Sequence, residues 1–217
     1  MSMEHYRGIA IPTTLEQVCD PQRMALLVYD MQVGVLNQID DAAEVITRVT
    51  TVLDAARSAG VRTFFTRHMT LPLEVTGTSG LRTAMAWQRA STVGEIISAF
   101  PRDSPQFQVI PEITPLASEA VLDKVGMSAF VGTPLDFALR DCGIAAFTIV
   151  GVALEVGIEP TVRHALDLGY LPVVVVDACG YGNHEAAQRS LAQLEFFGGC
   201  LQTDTATFCT LLNRTPE

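Results

Sequence analysis

Charge is scarce in this chain, and positive charge is the scarcer kind. Asp, Glu, Lys and Arg make up 18% of the 217 residues, with 14 Lys and Arg against 24 acids and a formal net charge of −10 at pH 7. No cluster of Lys or Arg interrupts this acidic balance. Proteins that hold nucleic acid neutralise phosphates with cations, so nucleic acid is excluded as an expected partner. Cysteine is also sparse. The five cysteines (19, 142, 179, 200 and 209) are odd in number and show no CxxC spacing. That argues against a disulfide framework or a structural zinc and predicts reduced thiols in the cytoplasm. Long apolar runs are missing too. The stretch from Cys142 to Leu154 stops at Glu155, short of the ~20 residues a helical span needs, so no membrane association is expected. The start, Met1 to Arg7, carries Glu4 and His5 and does not read as a signal peptide.

What the chain has in quantity is short buried segments. Hydrophobic residues reach 48%, a content that suits strands covered on both faces and an oligomer interface. Met24–Asp30 is an apolar run ending in an acid and predicts a strand. Asp40–Ala59 carries apolar residues at helical spacing and stops at Gly60. Val61–Thr66 predicts the second strand, followed by a Gly/Thr-rich loop and a helix or turn through Trp87. Pro101–Pro115 holds four prolines and predicts an irregular excursion. Strand and helix then alternate: strand 120–123, helix 134–141, strand 145–150, helix 156–168, strand 171–176, helix 184–197, strand 200–203 and helix 205–212. Six strands alternating with helices predict a doubly wound, mostly parallel α/β sheet. No repeat or linker divides it, so one domain over residues 1–217 is expected.

In such sheets a ligand sits beyond the carboxyl ends of the strands. That rule gathers Asp30, His68, Lys124, the segment from Gly151 to Gly157 and Asp177 at one rim.

Three segments along this rim resemble those of the isochorismatase-like hydrolase superfamily: LLVYDMQ (26–32), DKVGMSAFVGTPLDFALRDCGI (123–144) and IVGVALEVGIEPTVRHALDLGY (149–170). Their order and spacing agree over roughly residues 24 to 203, and the three together are specific where each alone is weak. Cysteine hydrolases of this group carry their nucleophile six residues after the glycine that is Gly151 here. This chain has Gly157 at that place. The resemblance therefore implies that the usual thiolate attack is absent. True isochorismatases also have glycine there and cleave a vinyl ether, with an aspartate as acid and an assisting lysine. The matching residues here are Asp30 and Lys124. Glu155 stands where those enzymes commonly have histidine, and Ala153 where they have tyrosine. The resemblance also implies a non-proline cis peptide within 151–153, and a loose match of His68 to a polar substrate contact. The Asp-X-His signature of metal-dependent nicotinamidases is absent, so no metal and no cofactor are expected.

The candidate site is thus Asp30, Lys124 and Gly157 for chemistry, with His68, Val152, Ala153, Glu155 and Phe130 around the substrate. Backbone N–H groups between Ala153 and Gly157 are candidates for an oxyanion or carboxylate cradle. Glu155 is either a first-turn acid favoured by the helix dipole or a second carboxylate acting as base. Phe130, like Phe64, Phe65 and Trp87, is either a pocket wall or core. The glycine at 157 either makes room for a ligand or marks lost selection on a former nucleophile. The resemblance implies a small-molecule hydrolase, with isochorismate or a related enol ether of a small carboxylic acid as the named substrate. Amide or ester hydrolysis by activated water and a catalytically retired binding protein are the alternatives. A homo-oligomer, dimer or tetramer, is the expected assembly.

Overall fold

The computed structural model describes residues 3–213; the first two residues and 214–217 lie outside it. A hairpin of β1 (Glu4–Tyr6) and β2 (Ile9–Ile11) leads into a one-turn helix, α1 (Leu15–Val18). The main body follows: β3 (Met24–Tyr29), α2 (Val33–Leu36), α3 (Ala42–Ser58), β4 (Arg62–His68), α4 (Thr78–Gln88), β5 (Ala120–Lys124), α5 (Leu135–Asp141) and β6 (Ala146–Val152). It closes with α6 (Glu159–Asp167), β7 (Leu171–Gly180), α7 (His184–Phe197), β8 (Leu201–Thr203) and α8 (Thr205–Leu212). A π-helical turn, Leu154–Ile158, joins β6 to α6.

The six main strands form one sheet in the order β5-β4-β3-β6-β7-β8, every neighbour parallel. This is the doubly wound parallel sheet expected from the alternation. The chain winds outward from β3 in one direction and from β6 in the other, so the topological switch point lies between β3 and β6. All six residues of β3 are buried. Met24, Leu26 and Val28 pack with α3 residues such as Val49 and Leu53 on one face. Ala25, Leu27 and Tyr29 face the other core, with Leu135 and Leu139 of α5 and Val162 of α6. The period of two thus places Tyr29 on the α6 side of the sheet and brings Asp30 to the switch point.

Several boundaries differ from the sequence reading. β4 continues to His68 rather than ending at Thr66, because His68 still pairs with Lys124 on β5. β7 continues to Gly180 through an irregularity in which Ile149 pairs with Val174 but Gly151 pairs with Cys179. The expected helix from 156 starts in the π-helical turn, where the N–H groups of Val156, Gly157 and Ile158 all point to the Ala153 carbonyl (3.3, 2.9 and 3.1 Å). Such turns interrupt regular helices at short range and recur at functional sites. The proline-rich segment does follow an irregular path, with single 3-10 turns at Pro105–Phe107 and Pro111–Ile113 and an isolated bridge between Val109 and Gln32.

Gly151 sits opposite Tyr29 in the β3–β6 ladder with φ +123°, and a methyl on its Cα would overlap the Tyr29 carbonyl. Gly143, the glycine that ends α5, has φ +67° but open space around it. Gly151→Ala is expected to cost about 3 kcal/mol or more, combining backbone strain with overpacking. Gly143→Ala should cost only about 1–2 kcal/mol, the left-handed backbone term alone. Urea unfolding of both variants checks this, and equal costs would mean the ladder yields at Gly151.

Candidate active site

Asp30 is the first residue after β3 and adopts φ +46°, a conformation short polar residues tolerate but do not favour. Its backbone N–H donates to Thr66 Oγ1 at 3.2 Å, and Thr66 Oγ1 donates to Asp30 Oδ1 at 2.6 Å. Lys124 Nζ donates to Asp30 Oδ2 at 2.6 Å. The lysine side chain has no exposure and the aspartate side chain 7%. Lys124 is also the sole lysine of the sequence. Its remaining N–H groups face Gly126 O at 3.3 Å and the Tyr29 ring, whose centroid lies 4.3 Å from Nζ. Burial pushes the Lys124 ammonium below its ordinary value, and Asp30 opposes that shift.

Gln32 fixes the neighbouring wall. It is fully buried, accepts from the His68 N–H at 2.6 Å, and donates to the carbonyls of His68 (2.9 Å) and Phe107 (2.8 Å). Clamping both backbone groups of His68 holds its ring over the site, edge-on to Phe100 at 5.8 Å between centroids. Burial lowers the His68 pKa from 6.5, with Asp30 raising it and Lys124 lowering it as smaller effects. His68 Nδ1 is buried with no partner among the described residues.

These groups line a cavity of about 200 Å³ bounded by Tyr29, Asp30, His68, Phe100, Val152, Ala153 and Gly157, with Trp87 beside it. That volume suits a ligand built on one ring; an engineered void of about 150 Å³ accepts benzene. The walls are mostly apolar, and Asp30 is the only carboxylate among the lining residues. The peptide Val152–Ala153 is cis, as the family resemblance implied. Among the described residues, no three of His, Cys, Asp and Glu gather as a metal-holding group.

The structure therefore brings Asp30, His68, Val152, Ala153 and Gly157 to one cavity, and Lys124 reaches it from behind Asp30. It does not bring the others. Phe130 packs against Phe147, His164 and Tyr170 (centroids 6.0, 5.5 and 5.7 Å) and belongs to the core beneath α5 and α6. Glu155 is not among the residues lining the cavity: its Oε1 accepts the N–H groups of Gly182 and Asn183, both at 2.8 Å, tying the π-helical turn to the start of α7, and its Oε2 is buried with no partner among the described residues. Asp177 is drawn off by Arg48 at 3.0 Å and by the N–H and hydroxyl of Thr205. The cradle expected of the 153–157 backbone is not offered by Gly157, whose N–H is spent on Ala153 O. The residues sequence reasoning left without a role are Tyr29, Gln32, Thr66 and Phe100. Tyr29 and Gln32 were within reach of sequence reasoning, since they flank Asp30 in LLVYDMQ. Thr66 and Phe100 carried no local signal.

The isochorismatase domain model matches residues 24–205. The chain belongs to the isochorismatase family. Solved structures share its fold at low identity. A cysteine hydrolase from Pseudomonas syringae pv. phaseolicola 1448A has TM-score 0.76 and 23% identity over 90% of this chain and 94% of that one. An isochorismatase family protein from Desulfovibrio vulgaris subsp. vulgaris str. Hildenborough has TM-score 0.74 and 20% identity over 89% and 100%. N-carbamoylsarcosine amidase from Thermoplasma acidophilum has TM-score 0.68 and 22% identity over 84% and 96%. This isochorismatase-family chain carries the hydrolase fold with glycine at 157 and a buried Lys–Asp pair at its switch point.

The half-buried histidine gives this site a pH signature. Its folded pKa lies below 6.5, so the unfolded chain takes up the proton first as pH falls. The stability due to neutral His68 is complete above pH 6.5 and is lost as pH drops through the lower, folded value. Urea unfolding as a function of pH should show stability declining below 6.5, with a shallower decline in His68→Gln. Identical slopes would mean that His68 ionises freely in the fold.

Proposed function

We propose that this isochorismatase-family chain hydrolyses the enol ether of a small molecule without a covalent intermediate, with Asp30 passing the proton. The observation that carries this reading is the placement of Asp30 as the only carboxylate among the described residues lining the cavity, hydrogen-bonded at 2.6 Å to a buried ammonium. The pair holds one labile proton. Asp30 delivers it to the terminal vinyl carbon and is restored as carboxylate beside the oxocarbenium that forms, while Lys124 is left neutral. Water then adds to the cation and returns one proton to the pair. The hemiketal collapses by breaking its bond to the leaving alcohol, giving a ketone and an alcohol.

The cationic character of that path fits the walls. A carboxylate and aromatic faces stabilise positive charge, and two N–H groups of the candidate 153–157 cradle, those of Val156 and Gly157, are turned to Ala153 O. This favours enol-ether cleavage over water attack on an amide or ester, whose transition state is anionic. Glu155 is a poor base for that alternative, because it lies outside the cavity and is held by Gly182 and Asn183. Isochorismate, which would yield pyruvate, is the specified substrate to test. An uncharged aryl enol ether belongs beside it, because no Arg side chain is among the lining residues.

Release of pyruvate or ketone by the purified chain is the measurement. Asp30→Asn is expected to lower kcat by about 10²–10⁴-fold, the usual share of a positioned proton donor, with the far-UV spectrum unchanged. Fluorescence of Trp87, the single tryptophan and 55% exposed beside the cavity, reports binding separately. Turnover retained in Asp30→Asn would remove Asp30 from the chemistry. Binding with no turnover in either form would favour a binding protein.

A further inference from the structure

Glycine at 157 has a neighbour that explains it. A methyl built on its Cα would overlap the Tyr29 hydroxyl and ring, with even Cε1 only 2.5 Å away. Tyr29 is anchored where it stands. It is 1% exposed, its hydroxyl donates to the Met127 carbonyl, and Lys124 Nζ lies 4.3 Å above its ring. Burial raises the phenol well above 10 and Asp30 raises it further, so the hydroxyl stays protonated and is no substitute nucleophile.

We propose that Tyr29 is a positioning residue of this site: its side chain fills the space a nucleophile at 157 would need, and its ring face seats the Lys124 ammonium against Asp30. Glycine at 157 is then the complement of tyrosine at 29, and the cavity floor is rebuilt around the aromatic ring. One residue would link the loss of the thiol position to the support of the Lys–Asp pair. The steric half of this inference is independent of the substrate. The electrostatic half rests on the Asp30 reading only for its bearing on catalysis.

Both halves can be tested without turnover. In a thermal-unfolding cycle, Gly157→Ala is expected to lower Tm by roughly 5 °C or more in the Tyr29 background, as overpacking does. In a Tyr29→Val background, or Tyr29→Leu should that variant not fold, the same change should shift Tm by no more than about 2 °C relative to its own parent. A Gly157→Ala protein that folds only with Tyr29→Val gives the same answer. An equal loss in both backgrounds overturns the steric claim.

The sole lysine makes the second half legible, because lysine-selective isotope labelling yields one side-chain signal. Groups facing the ammonium are Asp30 and Tyr29 from the end of β3, Gly126 O beyond β5, and His68 from the end of β4 as a more distant charge. Tyr29→Phe keeps the ring and should leave the Lys124 titration in place. Tyr29→Val removes the ring's attraction for the charged form, so the titration should move down by about half a pH unit or more. The alkaline limb of the activity profile should follow in the same direction. An unmoved titration in Tyr29→Val overturns the seating role. A moved titration with no enol-ether turnover would retain the role of Tyr29 and reject the reaction.

Discussion

The buried ion pair between Lys124 and Asp30 is the constraint around which this fold is arranged. Taking both charges out of water costs several kcal/mol per ion, and attraction offsets that only when the remaining protons and lone pairs also find partners. Here each does. Lys124 reaches Asp30, Gly126 O and the Tyr29 ring, and Asp30 also accepts from Thr66. These partners come from β3, β4 and β5 and from the loop after β5. The order β5-β4-β3 is therefore held at its carboxyl end by charge as well as by the ladder. Such a pair is poor evidence of stability but strong evidence of a site, because a hydrophobic substitute would satisfy the core equally well. A chain that uses one lysine and buries it has placed it for something other than solubility.

Much of this was legible in the sequence because it follows from local period and strand polarity. The apolar run ending at Asp30, the acid–lysine step Asp123–Lys124 and the Gly151–Gly157 segment all lie where the rule for parallel sheets puts ligands. The six strands emerge from the same signals. What failed needed pairing or packing to be visible. β4 and β7 run on because their neighbours across the sheet continue to pair with them, and β7 carries Asp177 off to Arg48 and Thr205. Glu155 and Phe130 have the right types at the right rim. Their side chains answer to nearer partners, the N–H groups at the start of α7 and the rings of Phe147 and Tyr170. The aromatic wall of the cavity comes from Trp87 and Phe100, whose positions follow from packing rather than from any local period.

Glycine at 157 shows how an apparent loss in sequence can be a contact in space. Read along the chain, it is a missing nucleophile, explained by ligand room or by lapsed selection. Read across the sheet, it sits against a tyrosine placed by the alternation of β3, one residue before the acid. Lapsed selection would leave a void or a random small side chain at 157, and voids in cores are costly enough to be filled. What stands there is a hydroxyl anchored to Met127 O and a ring beneath the ammonium. Two adjacent residues, Tyr29 at the end of β3 and Asp30 just after it, therefore account for the features that set this cavity apart. Tyr29 faces the core and fills the space beside Gly157, and Asp30, turned by its positive φ, is the carboxylate that meets Lys124.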